Sequence, residues 1–395
     1  MFSPEVLPPA SEIALKHSHS LQIMIRDSII AAGGWIPFEQ FMNLALYAPG
    51  MGYYNSGATK LGNAGDFVTA PEISSLFGRT LAQQAAQFFM ETNPADILEF
   101  GAGTGKLALD LLLELEKLDA LPRKYLILEV SAELRQRQQI LLNNQIPHLM
   151  HLIEWLQQLP EEFTGVMLGN EVLDAMPVHI VNWQGAIPLE RGVVWQNDQF
   201  AWQDRPIQDT ELLTIAQQLT LQINPGNDSD YAYVSEINLA AGHYIRSLAN
   251  SWRQGIILLV DYGFGRTEYY HPQRNQGTLM CHYRHHAHGD PFYLPGLQDI
   301  TSHVDFSAIA SAAGNSALTL LGYTTQAHFL INCGITEILT QTPVEDTARY
   351  LQQANQLQKL VSPAEMGELF KVIAFGRNFS NPLIGFKRGD MSRLL

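Results

Sequence analysis

Three glycines spaced by two, Gly101, Gly103 and Gly105, follow a short apolar run that ends in Glu99 and Phe100, and they lead into Lys106. Glycine takes backbone angles closed to other residues and lets a ligand rest against the main chain, here at the start of a helix whose first N–H groups lack partners. This is the pattern of a nucleotide-binding loop, and its neighbours narrow the nucleotide. A phosphate-cradling P-loop needs a glycine where Phe100 stands and a hydroxyl where Leu107 stands. A dinucleotide loop needs a third glycine where Lys106 stands, and the carboxylate of Glu99 opposes a pyrophosphate. S-adenosylmethionine carries no phosphate and presents an ammonium beside its sulfonium, so an acid two residues before the first glycine favours it. Glu129 supplies the second half of a nucleoside site: it ends the apolar run Lys124–Val130, the next strand along, where an acid can accept both ribose hydroxyls.

Positioning these groups requires a parallel sheet. From Ala95 the chain alternates apolar runs near 96–100, 124–130, 149–154 and 164–170 with helical stretches, Thr104–Leu118 among them, and Gly255–Asp261 resumes the buried strands. The fold class is therefore α/β, with crossover helices. Thr324–Ile331 and Glu368–Phe375 read as the last two strands, with a helix over Val344–Leu360 between them. Ser11–Ala32 has helical periodicity up to Gly33-Gly34 and is expected to pack on the catalytic body, and Leu76–Glu91 is a second helix. Tyr47–Thr69, dense in Gly, Tyr and Asn, reads as a long functional loop. Val178–Trp202 alternates like a hairpin insertion, followed by a helix over Thr210–Leu221, and a His-, Pro- and Gly-rich insertion runs from Tyr262 to about Asp305. The division that follows is an N-terminal helical and loop segment over 1–80, core over 81–177, an inserted subdomain over 178–254, and the rest of the core over 255–395, with its loop insertion near 262–305.

A chain of 395 residues suits two domains or one large domain with insertions. No apolar run approaches the roughly 18 residues that span a bilayer, so no membrane insertion is expected. The N-terminus lacks the patterns of signal and transit peptides, which makes a cytoplasmic location the default. A net charge of -15 argues against a nucleic-acid partner. Cys281 and Cys333 stand far apart, so neither a disulfide framework nor a redox motif is indicated.

Five segments, GDFVTAPEISSLFG (Gly65–Gly78), ILEFGAGTGKLA, GNEVLDAMPV (Gly169–Val178), LVDYGF (Leu259–Phe264) and PGLQDITSHVDFSAIA (Pro295–Ala310), resemble in this order the MidA-like methyltransferases, the family of the mitochondrial complex I assembly factor. The resemblance covers nearly the whole chain. It implies a class I, Rossmann-like, seven-stranded methyltransferase sheet with insertions and S-adenosylmethionine as donor. From the mitochondrial member it implies a protein substrate in the respiratory chain, with symmetric dimethylation of an arginine in a complex I subunit. Glu99, Gly101, Gly103 and Gly105 match the family's donor motif, and Asp66, Asn170, Glu171 and Asp174 match its other polar positions.

Methyl transfer from a sulfonium is an in-line displacement in which positioning and charge placement do most of the work, and no metal is required. If the acceptor is a guanidinium, carboxylates must draw its positive charge to one side and leave electron density on the attacking nitrogen. Glu171 and Asp174, with Asn170 beside them, follow the apolar run Gly165–Leu168 and are placed for this at a strand's carboxyl end. Alternatively, two acids three apart near a helix start satisfy its amides and dipole. Asp66 reads as a lid contact to the donor or as a turn residue, and Trp155 as a wall for adenine or as core. His282, His285, His286 and His288, with Asp290, His303 and Asp305, form the one constellation suggestive of a metal. Its spacing does not support one, because adjacent histidines diverge on a strand. Competing readings are a methyltransferase for another nucleophile, a donor-binding assembly factor without turnover, and a nicotinamide oxidoreductase, which Lys106 opposes.

Overall fold

The computed structural model describes residues 7–55, 69–92, 95–224, 226, 228–343 and 346–395. The chain divides into two compact units, one of Met1–Phe67, Asp174–Ala241 and Phe264–Asp305, the other of Val68–Leu173, Gly242–Gly263 and Phe306–Leu395.

The second unit is built on a mixed, mostly parallel sheet. Its strands are β1 (Asp96–Phe100), β2 (Tyr125–Leu128), β3 (Ile153–Leu156), β4 (Phe163–Asn170), β5 (Trp252–Phe264), β6 (Thr319–Thr325) and β7 (Phe370–Arg377). Among the described residues the main path runs β6-β7-β5-β4-β1-β2-β3. The pairs from β3 to β5 are parallel, and β7 runs antiparallel to both β5 and β6. Strand order reverses between β1 and β4, and a crevice opens at the carboxyl ends of strands at such a point. Val166, Leu168, Ile256 and Leu258 join one core with Leu81 and Phe88 of the helix Ser75–Glu91 and Leu111 and Leu112 of the helix Lys106–Lys117. Met167, Ile257 and Leu259, on the opposite face of the same strands, are equally buried. Both faces are covered, which is why these strands read as unbroken apolar runs.

Several elements differ from their expected bounds. The strand placed at Thr324–Ile331 lies at Thr319–Thr325, and Gln326–Asn332 is a helix, whose start is capped where the Thr325 side chain accepts the His328 N–H. A short apolar run such as Ala327–Ile331 fits either period, and here the buried pair Phe329 and Leu330 packs from a helix. The run near 149–154 splits into a 3-10 segment, Pro147–Leu152, and β3. The helix expected from Val344 is Thr347–Val361, capped by the side chain of Asp346, and residues 344–345 lie outside the described residues. The strand expected from Glu368 begins at Phe370, after the short helix Met366–Leu369.

The first unit holds a five-stranded antiparallel sheet among its described residues, in which Ile187–Gln196 pairs with Ile36–Pro37, His179–Gln184 and Gln199–Pro206, and His179–Gln184 pairs with Ala232–Ile237. The expected hairpin is thus a larger meander. The helix Glu12–Ala31, capped by Ser11, buries Leu21, Ile25 and Ile29 in the core of this unit with Val178 and Val193. Its expected place on the body that carries the glycine loop is corrected accordingly. The insertion read as loop contains a three-stranded sheet, in which Met280–Tyr283 pairs with His286–His288 and Asp299–Thr301. The loop expected over Tyr47–Thr69 has a 3-10 turn at Tyr53–Asn55 and a further part outside the described residues, Asp66 included. Among the described residues no helix is long and apolar enough to cross a membrane.

Candidate methyl-donor site

Glu99, next to last in β1, is 2% exposed and accepts the Tyr125 hydroxyl at 2.7 Å. Burial lifts its pKa to about 7, against the opposing hydrogen bond from Tyr125 and with some help from the charge of Glu129. The chain then turns through Gly101, Gly103 and Gly105 with φ of 61°, 53° and 86°. All three angles lie in the left-handed region that side chains resist, so the sequence spacing is a backbone requirement. Gly105 caps the helix Lys106–Lys117, and the Thr104 hydroxyl donates to Glu72.

Glu129 lies one residue past β2 and is buried. One of its oxygens accepts the Ser131 N–H at 2.8 Å, and the other accepts the amide of Gln138 at 3.1 Å. Burial raises its pKa, while these bonds and the charge of Arg135 pull it down. The Gln138 amide also donates to the carbonyl of Gly103 at 3.0 Å, and its oxygen accepts the Trp155 indole N–H at 2.9 Å. The glycine loop, Glu129 and Trp155 are thus brought together, and Gln138, absent from the sequence reading, joins them. Its signal was a glutamine on the inward face of a helix, four residues before Leu142, the other buried residue of Ala132–Gln145. A carboxylate offers about four lone-pair sites, so Glu129 keeps capacity for a diol, and the acid, the glycine main chain and the half-buried indole fit an adenosine-bearing ligand.

Asn170 and Glu171 stand at the carboxyl end of β4. Glu171 has φ 53°, rare for a residue with a side chain, and its N–H donates to the carbonyl of Val260 on β5 at 2.8 Å. The Asn170 amide donates to the Glu171 carboxylate at 3.0 Å, and the Asn170 side-chain oxygen is buried with no partner among the described residues. The capping alternative does not hold: residues 171–178 form no helix. The amides of Val172 and Leu173 instead donate to Asp261, at 3.2 and 2.9 Å, and that of Tyr262 donates to the same side chain at 2.9 Å. Asp261 is fully buried, and its sequence signal was the acid that ends the apolar run of β5.

Asp174 opens a segment of the other unit, is buried, and accepts the Ser302 N–H on its carbonyl at 3.0 Å. His282 pairs with Asp299 in strand register, His285 occupies a left-handed turn position, and His303 packs edge-on against Phe264. Among the described residues no group of three or more His, Cys, Asp or Glu is arranged to hold a metal ion.

Residues 80–324 match the sequence profile of a family described as S-adenosyl-L-methionine-dependent methyltransferases. A protein from Burkholderia thailandensis, solved bound to S-adenosyl-homocysteine, is 49% identical, with a TM-score of 0.93 over 98% of this chain and 100% of that one. Protein arginine methyltransferase NDUFAF7, mitochondrial, from Danio rerio is 29% identical over 381 residues, covering 87% of this chain and 84% of that protein. The Drosophila melanogaster homolog is 27% identical over 415 residues, covering 95% and 89%. These relatives are named mitochondrial, which overturns the cytoplasmic location expected from the N-terminus. With a family match over more than half of its length, the chain belongs to the S-adenosylmethionine-dependent methyltransferases of the MidA-like group, and S-adenosylmethionine is its methyl donor.

Proposed function

We propose that the chain methylates arginine in a protein substrate, with Glu99, the three loop glycines, Glu129 and Trp155 on the donor side and Asn170 and Glu171 on the acceptor side. The observation that carries this reading is Glu171, held in a left-handed conformation where β4 meets the strand-order reversal, with the Asn170 amide on its carboxylate. The names of the curated relatives support the acceptor. When bound, S-adenosylmethionine supplies an electrophilic methyl group on a sulfonium. Glu99 neutralises the ammonium of the amino-acid end, Glu129 takes the ribose hydroxyls, and the glycine loop lets the nucleoside lie on the main chain. A guanidinium keeps its charge to a pKa above about 12, so the Glu171 carboxylate draws that charge away from the attacking nitrogen. The test is incubation with isotopically labelled donor and extract from cells lacking the protein, then mass analysis of the labelled residue. Methylarginine is the expected product, and label on another nucleophile rejects the acceptor.

Donor affinity is expected to depend on pH through Glu99. Its pKa of about 7 in the free protein means that it is protonated below neutrality and must lose that proton to pair with an ammonium. The dissociation constant for S-adenosylhomocysteine should then rise by up to about tenfold per unit as pH falls below 7 and stay level above it. Calorimetry across this range, with proton release read from buffers of different ionisation enthalpy, checks it. A level profile from about pH 5.5 upward would remove Glu99 from the ammonium site.

Glu129→Ala is expected to weaken donor binding by about 2 kcal/mol, the scale of lost hydrogen bonds to a charged group, with a small loss of thermal stability because the Ser131 and Gln138 donors lose their acceptor. Titration with S-adenosylhomocysteine measures it, and an unchanged constant would mean that Glu129 is not the ribose acid.

A further inference from the structure

We infer that Gln138 is a positioning residue that locks the ribose acid and the adenine wall to the glycine loop, so that the adenosine half of the donor is recognised as one block. The inference rests on the assignment of Glu129 to the donor ribose. Gln138 is 0% exposed, and a buried amide is tolerated only when its hydrogen-bonding groups are filled. Here they are filled from three separate segments. The nitrogen gives one bond to the Gly103 carbonyl in the loop after β1 and one to the Glu129 carboxylate after β2, and the oxygen receives the indole N–H of Trp155 on β3. The orientation of the amide is fixed by chemistry, because a flipped oxygen would face a carbonyl and a carboxylate while the nitrogen faced a donor. The packing repeats the message. A Cβ on Gly105 would sit 3.3 Å from Gln138 Cγ and 3.4 Å from its Cα, so the third glycine also seats this helix against the loop.

A neutral amide suits the position. A cation there would neutralise the acid meant for the ribose, and an anion would repel it. Removing the amide frees the indole ring, strips one donor from Glu129 and unties the Gly103 carbonyl in a single change, so three donor-side groups loosen together. The three groups tied by Gln138 are the ones assigned to the adenosine half of the donor, so the loss is expected in binding rather than in turnover.

The experiment compares wild type, Gln138→Met, Gln138→Glu, Glu129→Ala and the Gln138→Met/Glu129→Ala pair. Affinities for S-adenosylhomocysteine and for adenosine, which lacks the amino-acid end, are read alongside donor KM and kcat. Gln138→Met is expected to raise both dissociation constants by the same factor, about 10–100-fold, with kcat at saturating donor within about twofold of wild type. The double variant should bind no more than about twofold worse than the weaker single one, because both changes break one network. Trp155 emission, isolated as the difference from Trp155→Phe, should shift in Gln138→Met without ligand. Gln138→Glu should bind adenosine poorly at neutral pH and regain affinity as pH falls, when one carboxyl of the 129/138 pair takes a proton and can donate again. Adenosine carries no ammonium to pair with Glu99, and the wild-type profile over the same pH range subtracts what Glu99 contributes through its charge on Glu129. Unchanged affinities in Gln138→Met beside an impaired Glu129→Ala would overturn the inference alone, as would fully multiplicative losses in the double variant or a loss confined to kcat. Wild-type adenosine binding by Glu129→Ala would overturn the ribose assignment and the inference with it.

Discussion

Gly103→Val is expected to abolish donor binding and leave a folded protein. Gly103 has φ 53°, and a residue with a Cβ in that region costs roughly 1–2 kcal/mol, more when it is β-branched. The backbone cannot relax to a negative φ without turning its carbonyl away from Gln138, which holds it at 3.0 Å. On the proposed donor site strain is the smaller part, because a side chain at this position would also compete with the nucleoside for the loop. Together these should raise the dissociation constant for S-adenosylhomocysteine by more than about 100-fold, equivalent to about 2.8 kcal/mol. Gly101→Ala offers a scale: its φ of 61° brings similar strain, and its added methyl would meet Val172 Cγ2 at 3.3 Å, a contact that a small side-chain shift absorbs. Binding should fall in that variant but stay measurable. Calorimetry with a thermal melt for each variant decides it, and wild-type affinity in a folded Gly103→Val would refute the loop as the donor site.

The loop was legible because its chemistry is local. Three positive φ angles in five residues demand glycine, and the acids at positions 99 and 129 fall where short parallel strands end. The parallel sheet was legible for a related reason: strands buried on both faces read as apolar runs whatever their neighbours. What escaped were features set at long range. Gln138 sits in a mostly polar helix, where its place four residues before Leu142 is a weak signal of an inward face, and only the folded loop shows what the amide holds there. Asp261 gained its role from amides some ninety residues earlier in the chain, a pairing that no spacing rule reveals. The left-handed backbone at Glu171 belongs to a residue type that gives no warning of it. Asp174 reads with Glu171 as a residue at a strand's carboxyl end, and the passage from one compact unit to the other between Leu173 and Asp174 is a boundary that the apolar pattern does not mark.

Glu171→Gln is expected to keep donor affinity and lose most methyl transfer. The amide is nearly isosteric with the carboxylate, still offers an oxygen to the Asn170 amide, which now bonds Glu171 at 3.0 Å, and faces the same backbone conformation, so the fold should not register the change. Charge is what it removes. A neutral side chain cannot hold a guanidinium's positive charge to one side while the attacking nitrogen gains density, so the cost falls on the transition state, by about 10²–10³-fold in the single-turnover rate if this group resembles other fixed charge stabilisers. Donor titration should stay within about twofold of wild type, because Glu171 is assigned to the acceptor side. Asp174→Asn, tested beside it, should show a milder loss if that residue is the second clamp. The paired readout separates the two halves of the site: a fall in affinity would move Glu171 to the donor side. Transfer at the wild-type rate would mean that no guanidinium charge is handled there, so the arginine acceptor would be rejected while the donor site built on Glu99, Glu129 and the glycine loop would stand.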